Sequence, residues 1–427
     1  MDTKKRPRVL FISYNGLIEP LGPTQIVPYV RALAADYRMT VLSFEKAIRS
    51  PEEDAKAREE IRSSMGAHGI EWICQRYHKW PSLPATLYDI SQGLYRAARE
   101  HSRDRFALVH ARGYVPGAIA WGLKRWLGIS YLFDIRGLQA EEYVDAGHWQ
   151  SLGIRFRLTK RVEQWILHDA DGLVTLTQAV RPVLRDFPGL TSRPALPPWE
   201  VIPSCVDLNH FRFQKDGRSR VRAELGVGNR PVLVYAGSVG TWYLLDEMLE
   251  FYVVARRTWP ELFFLFLSNG SDTIVRAALL RHGVVEGRDA AIRWARFQEM
   301  PNYLSAADAG IAFIRPCLSK RSSSPTKYAE YLACGLPLVV NSGIGDVDSL
   351  VQDEGAGVLV QSFDQEEYRR AAEELRRHLM RKRDLFRDIA KKHFSLSNYA
   401  YHAYRRLYDR ILGRPLAYND VIPEVNA

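Results

Sequence analysis

The stretch Ser322–Val340 reads SSSPTKYAEYLACGLPLVV and contains a start, a stop and a change of element. Ser324 suits a helix N-cap, and Pro325 suits the first helical position, where a missing N–H costs nothing. Gly335 fits the left-handed residue just past a helix end, and Pro337 blocks continuation. The spacing predicts a helix of about ten residues, roughly 15 Å long. Leu338-Val339-Val340 then opens a buried strand. Lys327 and Glu330 share one helix face at i, i+3, while Tyr328, Tyr331 and Leu332 mark another. Free N–H groups at the helix start, three hydroxyls and Lys327 would together suit a phosphate. The competing reading is a capped helix carrying a surface ion pair.

The same alternation of buried strand and helix runs through the rest of the chain. Arg8–Tyr14 (RVLFISY) reads as a first strand, followed by a Gly/Pro loop, a helix over 26–35 and the strand MTVLSF. That βαβ order opens a doubly wound sheet. Further strands are expected at FALVHA, ISYLFDI and GLVTL, and the stretches 51–64 and 76–105 read as a helical excursion from the sheet. After the Pro-rich TSRPALPP comes WEVIPSCVDLNHF, strand then loop. A second series runs through RPVLVYAGSVG, LFFLFLSNG, AAIRWARF, AGIAFI and LPLVVN. Short Val/Ile/Leu-rich strands between helices favour parallel sheets over a β-sandwich. The expected domains are 1–200, 201–395 and a C-terminal helix with tail, 396–427, whose aromatic face needs a surface to cover.

At 427 residues, two domains are the prior expectation. The net charge of +10 has no basic tail behind it and favours anionic partners without choosing among them. No nucleic-acid recognition motif is present, and no nucleic-acid partner is expected. The cysteines at 74, 205, 317 and 334 are scattered, with neither a CxxC nor a His cluster at metal spacing. The apolar run Val9–Ile12 is too short for a signal peptide, and no stretch reaches membrane-spanning length. The expected location is cytoplasmic, or at the inner face of a membrane, where the aromatic and basic residues of RYHKWPSLPATLYDISQGLYRAAR would make peripheral contact.

Four segments resemble a known family, in its order and spacing. LGPTQIVPYVRALA is similar to the glycine loop and first helix of the acceptor domain of GT-B glycosyltransferases of the large retaining family 4 (group 1). VIPSCVDLNHF resembles that family's hinge segment, VLVYAGSVG the strand and glycine turn that open its donor domain, and SPTKYAEYLACGLPLVV its nucleotide-binding helix. The resemblance implies an α/β protein of GT-B architecture, with two doubly wound Rossmann-like domains facing a central cleft. It implies transfer of a sugar, with retention, from a nucleotide diphosphosugar (a UDP-sugar first, GDP next) to a sugar or lipid-linked acceptor in surface polysaccharide or glycolipid synthesis. No cofactor and no metal are expected.

Carried over by motif, Glu330 becomes the ligand of the ribose hydroxyls, for which an ionised carboxylate is a strong acceptor. Ser323, Ser324, Thr326 and Lys327 become candidates for the diphosphate and sugar, with Gly237 and Ser238 at the glycine turn. The chain also departs from the family. Ser322 stands where a second Glu is common, Ser238 and Tyr243 stand where an Arg and a Lys often follow the turn, and Ser204-Cys205 replaces Asn-Gly in the hinge. Positive charge for the leaving diphosphate then falls to Lys327, with Arg136, Arg315, Lys320 and Arg321 as further candidates.

In the acceptor domain, His110, Asp134 and Arg136 lie at strand ends, where site residues of α/β folds gather. Arg136 could steady a phosphate and Asp134 could take the acceptor's proton. The alternatives are a turn carboxylate for Asp134 and a hydrogen-bonded buried imidazole for His110. Gly22 and Thr24 would form an acceptor or phosphate loop, or simply a tight loop. Asp346-Val347-Asp348 superficially resembles a metal-binding Asp-x-Asp but reads as cap residues ahead of a helix. Two other functions share this frame: a GT-B nucleotide-sugar epimerase and a non-catalytic nucleotide-sugar-binding protein.

Overall fold

Buried strands followed by amphipathic helices build two parallel α/β units in the computed structural model, which describes residues 6–268 and 270–415. Lys4, Lys5 and the tail beyond 415 lie outside the described residues. One unit runs to Pro203 and takes in the segment from Leu396 onward, and the other is Ser204–Ser395.

The first unit holds β1 (Arg8–Ser13), β2 (Arg38–Glu45), β3 (Glu71–Arg76), β4 (Leu108–Arg112), β5 (Tyr131–Ile135), β6 (Gly172–Thr175) and β7 (Trp199–Val201). Among the described residues these form one parallel sheet in the order β3-β2-β1-β4-β5-β6-β7. β1 and β5 are buried at every position, as a strand covered by helices on both faces must be. The strand order reverses between β1 and β4, which makes their carboxyl ends the place where a doubly wound sheet takes ligands. Register aligns these ends: Ser13 lies opposite Arg112, and Arg112 opposite Asp134.

One strand goes unread in the sequence, and one local expectation changes. The stretches 51–64 and 76–105 are helical as expected, at Pro51–Gly66 and Ser82–Arg103, and between them lies β3, a strand not read from the sequence, which extends the sheet. As an edge strand it buries no residue fully, so EWICQR carries no apolar run to give it away. The helix expected over 26–35 is two short pieces, Leu21–Gln25 and Val27–Leu33, broken at Ile26.

The second unit holds β8 (Val232–Ala236), β9 (Phe263–Leu267), β10 (Ala290–Arg293), β11 (Ala309–Ala312), β12 (Leu338–Asn341) and β13 (Gly357–Val360), ordered β10-β9-β8-β11-β12-β13. All pairs are parallel, and the order reverses between β8 and β11. β13 goes beyond the strands read from sequence. The helix of the opening stretch is Thr326–Ala333, with Pro325 in the cap position rather than inside the first turn. Ser324 does not cap it: its Oγ accepts from the Ser204 backbone N–H at 3.1 Å. Gly335 takes the expected left-handed conformation, with φ of 76°.

The aromatic helix Tyr401–Ile411 packs within the first unit. Tyr37 donates to Asp409 at 2.8 Å, Arg406 pairs with Glu200 at 3.2 Å, and Ala403, Tyr404, Leu407 and Tyr408 are buried.

Candidate active site

In the second unit, the carboxyl ends of β8 and β11 carry a cluster centred on Lys327. The loop leaving β8 turns at Gly237, whose φ of 129° disfavours any side chain. The turn is tied down by Tyr235, which donates to the Ser238 carbonyl at 2.6 Å. The loop is then stitched to the exit of β11: Leu244 N–H donates to the Phe313 carbonyl at 3.0 Å, and Arg315 N–H to the Trp242 carbonyl at 2.9 Å.

Lys327, one residue into its helix, reaches this corner. Its side chain is only 7% exposed. Nζ lies 3.5 Å from the centroid of the Tyr243 ring, 4.1 Å from that of Tyr235, and 3.0 Å from where a Cβ on Gly237 would stand. Nζ is buried and, among the described residues, has no hydrogen-bond partner. Burial pushes its ammonium well below the usual lysine range, although Glu330 pulls the other way. The Glu330 carboxyl is pushed up to about 7 by burial, against the pull of Lys327. Burial thus disfavours the charged form of both groups.

The other predicted residues of this unit divide. Ser323 and Thr326 are partly exposed at the helix start and Ser238 is exposed at the turn, whereas the Ser324 hydroxyl is engaged by Ser204. Ser322 is buried, and its hydroxyl donates to the Ser319 carbonyl at 2.5 Å. Lys320 and Arg315 lie over the Trp242 ring, at 3.7 and 5.0 Å from its centroid. Asp348 accepts from the Gly343 backbone N–H at 2.9 Å and also from Ser342, so it braces its own loop. Asp346 occupies the N-cap position without a side-chain cap bond.

In the first unit, the strand ends of β4 and β5 carry a polar network that is almost wholly buried. Asp134 and His110 are each 0% exposed. Asp134 Oδ2 accepts from Tyr404 at 2.9 Å, lies 3.3 Å from His110 Nε2 and 3.5 Å from an Arg112 nitrogen, while Oδ1 lies 3.5 Å from Arg136. Burial alone would raise this carboxyl. Arg136, the His110 hydrogen bond and Arg112 outweigh it and hold the group well below the usual carboxylate range.

A buried carboxylate so stabilised binds a proton only weakly. Burial lowers His110, and its Nδ1 lies 2.6 Å from the Tyr408 hydroxyl. This is the hydrogen-bonded buried imidazole of the alternative reading. Arg112 and Arg136 are the members that reach the surface, with side chains 11% and 18% exposed.

Gly22 serves close packing: a Cβ there would meet the Leu17 carbonyl oxygen at 2.1 Å. Its neighbour Thr24 turns its hydroxyl back to the Pro20 carbonyl at 3.2 Å. The loop's backbone N–H groups at Leu17 and Ile18 are satisfied by the buried Glu45 carboxylate, at 2.8 and 3.2 Å.

Sequence reasoning missed Arg112, Tyr404, Tyr408 and Tyr235. The signals were a basic residue closing the strand LVHAR and tyrosines spaced i, i+4 in the last helix. Among the described residues no helix is long and apolar enough to cross a membrane, and no three His, Cys, Asp or Glu residues are grouped to hold a metal ion.

Comparison with known proteins agrees with this layout. Residues 24–197 match the glycosyl transferase 4-like domain, and residues 230–378 match the glycosyl transferases group 1 domain. A D-inositol 3-phosphate glycosyltransferase of Segniliparus rotundus is 26% identical over 66% of this chain and 61% of its own length. A GDP-mannose-dependent alpha-(1-6)-phosphatidylinositol monomannoside mannosyltransferase of Mycolicibacterium smegmatis is 26% identical over 50% of this chain and 56% of its own. The chain thus spans about three fifths of the length of these relatives. The Anabaena protein HepE, solved in complex with UDP-glucose, superimposes with a TM-score of 0.64 at 14% identity, covering 95% of this chain and 99% of HepE. The chain belongs to the group 1, family 4-like glycosyltransferases and has their GT-B fold.

Proposed function

We propose that this protein transfers a sugar, with retention, from a nucleoside diphosphate sugar to an acceptor hydroxyl, and that UDP is the carrier. The observation that carries the reading is the Lys327 side-chain nitrogen, buried at the carboxyl ends of β8 and β11 without a hydrogen-bond acceptor among the described residues. A cation kept in that state lacks an anion, and the adjacent start of the Thr326–Ala333 helix adds backbone N–H groups with the same preference.

Glu330, one turn along, is spaced to accept from the ribose hydroxyls while Lys327 meets the diphosphate. As the sugar bond breaks, charge grows on the diphosphate, and a cation already desolvated stabilises it more than one in water would. HepE's UDP-glucose complex supports a UDP carrier, and the GDP-mannose dependence of the mycobacterial relative keeps GDP in the test. On the first unit, Arg112 and Arg136 offer positive charge to an acceptor bearing a phosphate, as inositol 3-phosphate does for the Segniliparus relative. A lipid-linked acceptor in polysaccharide or glycolipid synthesis at the cytoplasmic face of a membrane fits that charge.

Calorimetric titration with UDP, GDP and ADP tests the donor reading, and the anomeric configuration of the product, followed by NMR, tests retention. Absence of binding by all three nucleotides would overturn the site. One observation favours a second reading: Ser322, at the position where the family commonly carries a second Glu, turns its hydroxyl inward to the Ser319 carbonyl. A non-catalytic nucleotide-sugar-binding protein would bind UDP yet release none from UDP-sugars with any acceptor.

A further inference from the structure

Lys327 keeps an unusual position for a lysine. The Tyr235 and Tyr243 rings meet edge to face, with centroids 5.7 Å apart and planes at 69°, and so form a corner. Nζ sits in that corner, close to both ring centroids and, among the described residues, with no hydrogen-bond acceptor. The corner is built on fixed parts. Tyr235 is a fully buried residue of β8 whose hydroxyl is committed to Ser238, and Tyr243 is pinned by its bridge to Ile314 and by the neighbouring Leu244–Phe313 bond. Ring faces are weak partners for an ammonium and leave its N–H groups available. A carboxylate or carbonyl in the same place would hold the lysine equally well but would compete with an incoming anion.

We propose that Tyr243, with Tyr235 beside it, is the positioning residue for Lys327: the two ring faces seat the ammonium at the Gly237 turn and keep its N–H groups free for a nucleoside diphosphate. This inference rests on the donor reading above and adds to it a reason for an aromatic residue at position 243.

The test compares wild type with Tyr243→Leu, which removes the ring, and Tyr243→Phe, which keeps it. In nucleotide-free protein, acetic anhydride labelling read by mass spectrometry reports how well Lys327 is held. Lys327 should label slowly in wild type and Tyr243→Phe. In Tyr243→Leu its rate should approach that of the exposed Lys215. UDP and GDP are then titrated into each protein. Tyr243→Leu should weaken the nucleotide that binds wild type by about threefold to tenfold. Tyr243→Phe should recover most of that loss, and the loss should vanish in a Lys327→Met background. If Tyr243→Leu does not melt cooperatively, Tyr243→Met replaces it.

Unchanged labelling in the Leu protein, a Phe protein no better than Leu, or the same affinity loss without Lys327 would each overturn the inference. If labelling behaves as expected and neither UDP nor GDP binds wild type, the donor reading and the role in nucleotide binding fall together. Only the aromatic seat would then remain.

Discussion

The Tyr404 hydroxyl donates to Asp134 Oδ2 at 2.9 Å, joining the helix Tyr401–Ile411 to the carboxyl end of β5. Both residues are buried, and the acceptor is held ionised by Arg136, His110 and Arg112. A hydrogen bond to a buried charge is worth more than a neutral one, because removing it leaves the charge under-solvated. Tyr404→Phe should therefore lower unfolding stability by about 1.5–3 kcal/mol, measured by urea titration. A change below about 0.5 kcal/mol would mean that water or His110 replaces the hydroxyl at no cost.

Arg136 and Asp134 should separate structure from activity. Asp134→Asn leaves two guanidinium groups facing each other without their carboxylate, so a loss of about 3–5 kcal/mol in stability is expected. Arg136→Ala leaves Asp134 still paired with Arg112 and His110, and should fold. Its effect should fall on turnover and on the KM for the acceptor, with UDP affinity unchanged. A matching loss of UDP affinity in Arg136→Ala would show that the arginine serves the donor instead.

The strands legible in the sequence were those buried on both faces. VLVYA, FFLFL and LVVN admit no other home, and the order of such runs with helices between them led to the paired parallel sheets. β3 escaped because an edge strand needs no continuous apolar run. At the site, the helix carrying Lys327 and Glu330 was readable from its punctuation, Ser-Pro before and Gly-Leu-Pro after. What surrounds Lys327 was not readable. Tyr235 and Tyr243 come from a different strand and loop, and only tertiary packing brings their rings to the lysine. The same holds for Asp134, which looks like a strand-end base until Tyr404, 270 residues away, and two arginines are found around it.

Glu163 provides a pH test away from the site. It is 1% exposed beside Lys160, which also binds Glu141 at 2.7 Å. Burial raises its carboxyl from 4.5 to about 7, with Lys160 opposing. Because the folded-state value lies above the unfolded one, its contribution to stability is fully present below about pH 4.5 and is lost as pH rises through about 7. Glu163→Gln removes the ionisation, so its stability relative to wild type should rise across that window, by up to about 3 kcal/mol at pH 8. Melting curves at pH 5 and pH 8 check this. A variant destabilised equally at both would mean that the ionised Glu163–Lys160 pair stabilises the fold.

Lys327 and Glu330 should respond to substitution in opposite ways. An ammonium buried without a hydrogen-bond acceptor costs stability that only a ligand can return, so a methionine of similar length is better suited to the empty protein. Lys327→Met should therefore raise unfolding stability by about 1–2 kcal/mol. The same change should lower turnover at least about tenfold, and by more than it weakens UDP, because charge on the diphosphate peaks in the transition state. Glu330→Gln keeps the shape and one acceptor oxygen but removes the charge. It should weaken UDP and the sugar nucleotide alike, by about 1.5–3 kcal/mol, since the ribose is common to both. The measurements are thermal melts without nucleotide, calorimetric UDP affinity, and kcat with the cognate donor. A Lys327→Met protein that is less stable and equally active would place the lysine in the structural core, and unaltered UDP affinity in Glu330→Gln would remove the ribose contact.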